Sequence, residues 1–350
     1  MHPLAELWTY FADTSCAGYS PLYDRISRAV AASPEMIELI SEAAPSGHQP
    51  TVLLAAVHYL LLEGIEHPLA SVYAGTSDAD PGPLFADLCF RNRDRILEML
   101  ATRHTNTNEV GRSAVLGPAL TAVAAELGAP LGLVDVGCSA GLNLLCDRYL
   151  LDYGPAGSTG PADAAVRIAC EVIGTRPPIA PALPAIGARI GIDSHPVDAT
   201  DDDEVRWQLA CVWPDTGRLP RTRRALEEAR NDPPRFVRGD ALEHVSEVLR
   251  GLPSEHVPVV ITTWAAAYFS KGQRVAFREA LAAGSRERPV AWVSGESAGV
   301  IDLFSHVEAT PDATGLEPSV LGLVVFRDGA ADARLLALVH PHGNWIDWRA

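Results

Sequence analysis

The sequence predicts an α/β protein: a parallel sheet closed by an antiparallel hairpin and preceded by a helical region. Three observations predict it. Residues 1–130 place apolar residues at helical spacing and contain no convincing strand. From residue 131 onward, short β-rich runs alternate with helical segments five times, the pattern of a parallel sheet covered on both faces. Two last β-rich runs, Val320 to Phe326 and Arg334 to His340, are separated by Asp328-Gly329, a connection short enough for a hairpin. An antiparallel strand on such a sheet makes it mixed.

The elements follow in order. Met1 to Ala17 is amphipathic, and Ser33-Pro34-Glu35 is a helix start with a capping serine and proline at the first helical position. Pro50 opens the apolar stretch Val52 to Glu63. Pro83 to Leu100 reads as one helix, and Leu116 to Leu127 as another that Gly128 and Pro130 stop. Leu131 to Val136 is the first sheet strand, with a helix expected over Ala140 to Leu150. Residues 154–161 are turn chemistry, Val166 to Ile173 is strand-like, and Pro177, Pro178, Pro181 and Pro184 make a stiff connector. Ala188 to Ile192 is the second sheet strand, and the acidic run Asp201 to Glu204 starts a helix. Arg235 to Arg238, Val257 to Thr263 and Val290 to Ser294 are strands three to five, with helices at Ala241 to Arg250 and Gln273 to Ala283 between them. The expected division is a helical lid or substrate region over 1–130 and a sheet domain over 131–350. No internal repeat is visible.

Composition narrows the function classes. Of 350 residues, 47% are hydrophobic and 21% charged, so a real core can be buried. Lys plus Arg number 28 against 44 Asp plus Glu, a formal charge of −16, which repels phosphate backbones and anionic lipid. Nucleic acid and membrane are therefore not expected partners. The apolar run Val52 to Leu62 falls short of the ~20 residues that span a bilayer. Met1-His2-Pro3-Leu4 does not read as a signal peptide. The six cysteines stand singly, without C-x-x-C, as small hydrophobes in a reducing cytoplasm would.

The most informative segment is Val134-Asp135-Val136-Gly137-Cys138-Ser139-Ala140-Gly141-Leu142-Asn143, between a strand and an expected helix. Gly137 permits a tight turn, and the small residues Ser139 and Gly141 let a ligand approach the backbone. Asp135 aims a carboxylate at the crevice. The spacing is G-x-S-x-G rather than G-x-G-x-x-G, which disfavours a pyrophosphate. Two chemistries compete. One is the glycine-rich turn of S-adenosyl-L-methionine (SAM) methyltransferases; the other is a hydrolase nucleophile elbow with Ser139 as nucleophile, for which Asp302, His340 and His342 lie downstream in a permitted order. A purely structural role, with Gly137 and Gly141 packing helix on sheet, also stands. Carboxylates recurring after the next strands favour the first: Asp193 is placed to grip two ribose hydroxyls, and Asp240 to accept the adenine amino group. Each is alone also a reasonable helix cap.

On these residues, 131–348 resemble a class I SAM-dependent methyltransferase domain, through Asp135 to Gly141, Gly191-Ile192-Asp193, Arg238-Gly239-Asp240-Ala241 and the closing hairpin. The resemblance implies a Rossmann-like seven-stranded sheet. More closely, the chain resembles a bacterial domain-of-unknown-function family, number twenty-three thirty-two. That likeness rests on Thr107-Asn108-Glu109-Val110, Gly137 to Leu144, Arg206-Trp207, Ala210 to Pro214 and His340-Pro341-His342-Gly343, and it implies no reaction. The chain departs from the superfamily at Ser139, where a glycine is usual. It also departs at Thr262-Thr263-Trp264-Ala265, which replaces the Asn/Asp-Pro-Pro-Tyr of nitrogen methylation.

Further candidates lie outside the glycine turn. Glu109 and Arg112 offer one acceptor and one donor for the zwitterionic methionine end of SAM, although their polar run also reads as a capped loop. Trp207 and Trp213 read as packing residues, and His195 as a loop histidine. Trp264, Tyr268 and Glu296 follow strands four and five on the carboxyl edge, where ligands of such sheets bind. His340 and His342 suit a general base for a hydroxyl acceptor, or simply a strand end with a turn. No carboxylate beside them in sequence completes a metal site. The expectation is SAM-dependent methyl transfer to a small-molecule, sugar or lipid-precursor acceptor, with His340, His342 and Glu296 catalytic. The alternatives are a serine hydrolase or acyltransferase at Ser139, and a non-catalytic SAM- or nucleoside-binding protein. Sequence does not fix the oligomeric state.

Overall fold

The computed structural model describes residues 2–105, 108–128, 130–311 and 316–350. Helices come first: α1 (Pro3–Phe11), α2 (Pro21–Ala32), α3 (Pro34–Ser41), α4 (Pro50–Glu63), α5 (Leu69–Tyr73), α6 (Pro81–Arg91), α7 (Arg93–Thr102) and α8 (Ser113–Leu127). β1 (Leu131–Val136) is followed by β2 (Leu150–Asp152), β3 (Ser158–Thr159), β4 (Arg167–Ala169), β5 (Glu171–Gly174) and β6 (Ile186–Asp193). Next are α9 (Asp202–Ala210), α10 (Leu219–Asn231), β7 (Arg235–Arg238), α11 (Ala241–Gly251), β8 (Val257–Thr263), α12 (Lys271–Gly284) and β9 (Val290–Ser297). β10 (Ser319–Arg327), β11 (Ala330–Val339) and β12 (Trp345–Trp348) close the chain.

The chain forms two compact units, Met1–Thr107 with Thr200–Arg223, and Asn108–Ala199 with Arg224–Ala350. The division expected at residue 130 thus falls earlier, and a later segment joins the first unit. The reason is packing. Tyr153 donates to the carbonyl of Ala114 on α8 at 2.7 Å, and a Cβ on Gly117 would sit 2.8 Å from Leu151, so α8 is built into the second unit. In the first unit, Trp207 of α9 donates to the His104 carbonyl at 2.9 Å, and Asp215 accepts from Ser20 at 2.6 Å.

The first unit is a helical core. Proline at the first turn starts α1, α2, α3, α4 and α6, and Ser20, Ser33 and Asp80 cap α2, α3 and α6. Pro83 to Leu100 is two helices rather than one, broken at Asn92, whose side chain bonds the Leu88 carbonyl. α4 is buried on every side from Val52 to Leu60, as a central helix must be. Its His58 is held neutral, pushed down to about 4 by burial.

The second unit carries a nine-stranded mixed sheet among the described residues, in the order β5-β12-β11-β10-β9-β8-β1-β6-β7. The strands β7-β6-β1-β8-β9 are parallel, and β10 and β11 form the expected antiparallel hairpin. In order of appearance the parallel strands run third, second, first, fourth, fifth, so strand order reverses beside β1. Nine strands replace the expected seven because β12 pairs with β11 and the short β5 pairs with β12. The strand expected over Val166 to Ile173 splits at Cys170, so that β4 joins a separate three-stranded sheet with β2 and β3. Val134, Val136, Ile190, Ile192 and Val260 pack beneath Val245, Val248 and Leu249 of α11 and Phe277 and Leu281 of α12. Leu133 and Asp135 alternate to the opposite face.

The helix expected over Ala140 to Leu150 does not form. Leu142–Arg148 is a 3-10 segment with a non-helical Leu145, and β2 begins at Leu150. Its backbone groups are captured by side chains: Asn108 accepts from the Leu142 N–H, Tyr149 donates to the Leu142 carbonyl, and Arg189 donates to the Leu144 carbonyl. A carbonyl so engaged no longer drives the i→i+4 ladder.

Candidate functional site

Because β1, β6, β8 and β9 are parallel, their last residues Val136, Asp193, Thr263 and Ser297 lie along one edge of the sheet. Ser319 of β10 pairs with Ser297 and Val339 of β11 pairs with Ser319, so the segment after β11 reaches the same edge. Strand order reverses at β1, and such a point is where sheets of this kind leave room for a ligand.

The turn after β1 is built from three left-handed residues, Gly137, Ser139 and Gly141, at φ 73°, 52° and 68°. The Gly137 N–H donates to the Ile192 carbonyl at 2.8 Å, and a Cβ there would lie 2.7 Å from Ala265, so only glycine fits. A Cβ on Gly141 exists only as a strained fit 3.0 Å from Phe236. Ser139, fully buried, holds an unfavourable conformation for a residue with a side chain. Asp193 secures it: one carboxylate oxygen accepts the Ser139 N–H at 2.8 Å and the other the His195 N–H at 2.8 Å. Asp193, expected at a ribose, is therefore also the brace of the turn.

Asp135 stands one residue before the end of β1, 2% exposed, and its Oδ2 has no hydrogen-bond partner among the described residues. Burial pushes its carboxyl up to about 8; the charge of Asp193 adds to the shift and Arg112 opposes it. A buried unpaired acceptor costs about 1–3 kcal/mol, and such groups call for an explanation.

Glu109 and Arg112 are brought to this edge by the 3-10 turn Val110–Arg112 that precedes α8. Arg112 donates from Nη1 to the Thr263 carbonyl at 3.0 Å and from Nε to the Pro341 carbonyl at 3.0 Å, tying the end of β8 to the turn after β11. Its guanidinium carbon stands 6.0 Å from the ring centre of Trp264, itself left-handed at φ 58°. Glu109 is buried; its Oε1 accepts the Gly111 N–H at 2.8 Å, and its Oε2 lies 3.4 Å from Nδ1 of His342. His340, also buried, accepts the His342 N–H at Nδ1 at 3.0 Å. A Cβ on Gly343 would meet the Gly111 carbonyl oxygen at 2.0 Å, so the turns at 109–112 and 340–343 touch backbone to backbone.

Glu296, fully buried on β9, accepts three successive N–H groups: Ala265 at 3.1 Å and Ala266 at 3.0 Å on Oε1, and Ala267 at 3.3 Å on Oε2. Burial raises its carboxyl, and these bonds pull the other way. It is an anchor for the segment after β8. Asp240 is exposed and caps α11, accepting from the Leu242 N–H at 2.8 Å. Tyr268 is 88% exposed, and the Trp264 Nε1–H donates to Ser319. Trp207 and Trp213 pack in the first unit, as expected of packing residues.

The structure therefore brings Asp135, Gly137, Ser139, Gly141, Asp193, Glu109, Arg112, Glu296, His340 and His342 to one edge. Asn106 and Thr107 lie outside the described residues. Sequence reasoning missed Asn108 as the acceptor for the Leu142 N–H, and Asn143, which accepts from Ser113 Oγ at 2.9 Å. The asparagine just before Glu109 was the available signal. Among the described residues no group of three or more His, Cys, Asp or Glu side chains is arranged to hold a metal ion. Likewise, no helix is long and apolar enough to cross a membrane.

No curated protein matches the chain. Residues 5–348 match the model of a family described as "Uncharacterized protein conserved in bacteria (DUF2332)". With nearly its whole length matched, the chain belongs to that bacterial DUF2332 family.

Proposed function

We propose that this protein binds SAM at the carboxyl edge beside β1 and transfers its methyl group to a small-molecule, sugar or lipid-precursor acceptor, the seven-stranded methyltransferase layout surviving inside the larger sheet. One observation carries the reading: the buried, unpartnered Oδ2 of Asp135, next to a glycine turn and within electrostatic reach of Arg112. The ammonium of a methionine end gives that oxygen its missing partner, and the guanidinium of Arg112 complements the carboxylate. Burial pushes the Asp135 carboxyl up to about 8, so taking up an ammonium at pH 7 is expected to release a proton from it. Methyl transfer is an in-line displacement that needs positioning and at most one base, and it requires no catalytic triad.

The test is calorimetry with SAM and S-adenosylhomocysteine on the full chain at pH 7, in phosphate and in Tris. The expected result is saturable binding of both ligands, with a heat that differs between buffers by close to one released proton. Absence of binding would remove the reading. Binding without turnover on any hydroxylated acceptor would leave a SAM-binding protein.

A second reading has one observation in its favour: Ser139 holds the positive φ of a nucleophile elbow. Its complete burial, and the 3-10 segment where an elbow needs a helix, weigh against it. A fluorophosphonate probe should leave the protein unlabelled; stoichiometric labelling at Ser139 would overturn the choice.

A further inference from the structure

We propose that the first, helical unit holds a ligand site of its own, a cavity between α2, α4 and the end of α9 that takes a short uncharged diol. It stands apart from the methyltransferase reading, because every residue that lines it belongs to the first unit. Three of those residues, Ala210, Cys211 and Trp213, come from the run Ala210 to Pro214, to which methyl transfer gives no role.

The walls are tied to one another around the cavity. His58 of α4 donates from Nδ1 to the Ala210 carbonyl at 3.1 Å. Trp207 of α9 donates to the carbonyl of His104, one residue before Thr105, at 2.9 Å. Asp215 accepts from Ser20 and from the Leu22 N–H at 2.6 and 2.9 Å, which fixes the start of α2. The space is therefore held open by bonds that do not use it.

Tyr23 lines the cavity, is 1% exposed, and its hydroxyl has no hydrogen-bond partner among the described residues. Its ring is set by Trp213, with centres 5.2 Å apart, and by Tyr73 at 6.1 Å. The Tyr73 hydroxyl stands near enough to shift the ionisation of Tyr23, yet no bond between the two phenols is formed. Burial raises the Tyr23 phenol, so it remains a donor at neutral pH. Thr51 and Thr105, half-buried, supply the other polar lining, and their hydroxyls lie 3.2 Å apart. One of these hydroxyls donates to the other, which leaves the pair one O–H to offer outward.

These features define the ligand. No charged side chain lines the cavity among the described residues, so an ion would lose its hydration without compensation. The volume is about 40 Å³. Since ~10–15 Å³ holds one water, there is room for about three water-sized groups. Leu54, Ala55, Ala210 and the Trp213 ring make the rest of the lining, and a water against them lacks the two to four polar partners it needs. A two- or three-carbon diol meets both demands: one hydroxyl accepts from Tyr23, the other meets the threonine pair, and its carbons lie on the apolar wall.

The experiment is saturation-transfer NMR on the full chain, titrated separately with ethylene glycol, ethanol and glycolate. Saturable binding of ethylene glycol is expected, with ethanol about three- to tenfold weaker for its missing hydroxyl and glycolate not bound. Tyr23→Phe should weaken ethylene glycol by a similar factor while leaving the melting temperature unlowered, since the hydroxyl removed has no partner within the chain. A lowered melting temperature would show that it has one and overturn the site. So would the absence of saturable glycol binding, equal affinity for ethanol or glycolate, or unchanged glycol affinity in Tyr23→Phe.

Discussion

Two carboxylates at the same edge of one sheet have had opposite fates. Glu296 at the end of β9 and Asp135 at the end of β1 are both buried, and burial raises both. Glu296 accepts three backbone N–H groups from 265–267, whereas one oxygen of Asp135 accepts nothing from the described residues. Burial alone therefore does not mark a functional acid. What separates the two is whether the fold itself supplies the partners. Glu296 holds the segment after β8 through these bonds. Asp135 keeps an oxygen without a hydrogen-bond partner among the described residues.

The largest expected effect breaks the bonded side of this comparison. Glu296→Ala strands three N–H donors, each worth about 1–3 kcal/mol when unsatisfied. We expect a stability loss of roughly 3–6 kcal/mol in urea titrations, and a much smaller loss in Glu296→Gln, whose oxygen still accepts. A loss below ~1 kcal/mol in the alanine variant would remove the anchor role.

Asp135 should respond to pH in the opposite sense from an ordinary salt-bridged acid. Burial pushes its native carboxyl up to about 8, against ~3.9 for an unperturbed aspartate. Below pH ~4 both folded and unfolded chains hold the proton, and the stability is fully present. Between ~4 and ~8 only the unfolded chain releases it, so stability falls by at most about 1.4 kcal/mol per pH unit. Above ~8 the fall stops. Asp135→Asn removes this component, so its stability relative to wild type should rise with pH across that window. A difference between the two that is flat from pH 4 to 8 would show Asp135 to be ionised throughout. The same variant should abolish the buffer-dependent heat of SAM binding.

Asp193→Ala takes both braces from the turn, and about 1.5–3 kcal/mol is the scale for hydrogen bonds to a charged group. SAM affinity should fall by about that amount, with part of the loss appearing as lower thermal stability. Unchanged affinity in a folded variant would sever Asp193 from the site. The smallest effect is expected for Ser139→Ala. A small side chain suffices at that position, and affinity should change by under ~0.5 kcal/mol.

The sequence by itself determined much of this protein. Strands at Arg235 to Arg238 and Val257 to Thr263 and the hairpin at Asp328-Gly329 were legible, because β-rich runs bounded by glycine and acidic turn residues have few other solutions. Likewise, Pro34 and Pro50 marked helix starts, since proline fixes φ and lacks the donor that a first turn leaves unused. Asp135 and the glycine turn were legible as a pair for the same local reason. Tertiary structure alone decided the rest. The helix expected at Ala140 failed because Asn108, Tyr149 and Arg189 captured its backbone, and each reaches it through the fold. β12 and β5 are too short to declare themselves before a neighbouring strand offers its unpaired edge. The carboxylate that His342 lacks among its sequence neighbours comes from Glu109, brought across the chain by the close backbone approach of Gly111 and Gly343. Periodicity and turn chemistry are local and leave their mark in sequence; the partner of a buried polar group is chosen by the fold.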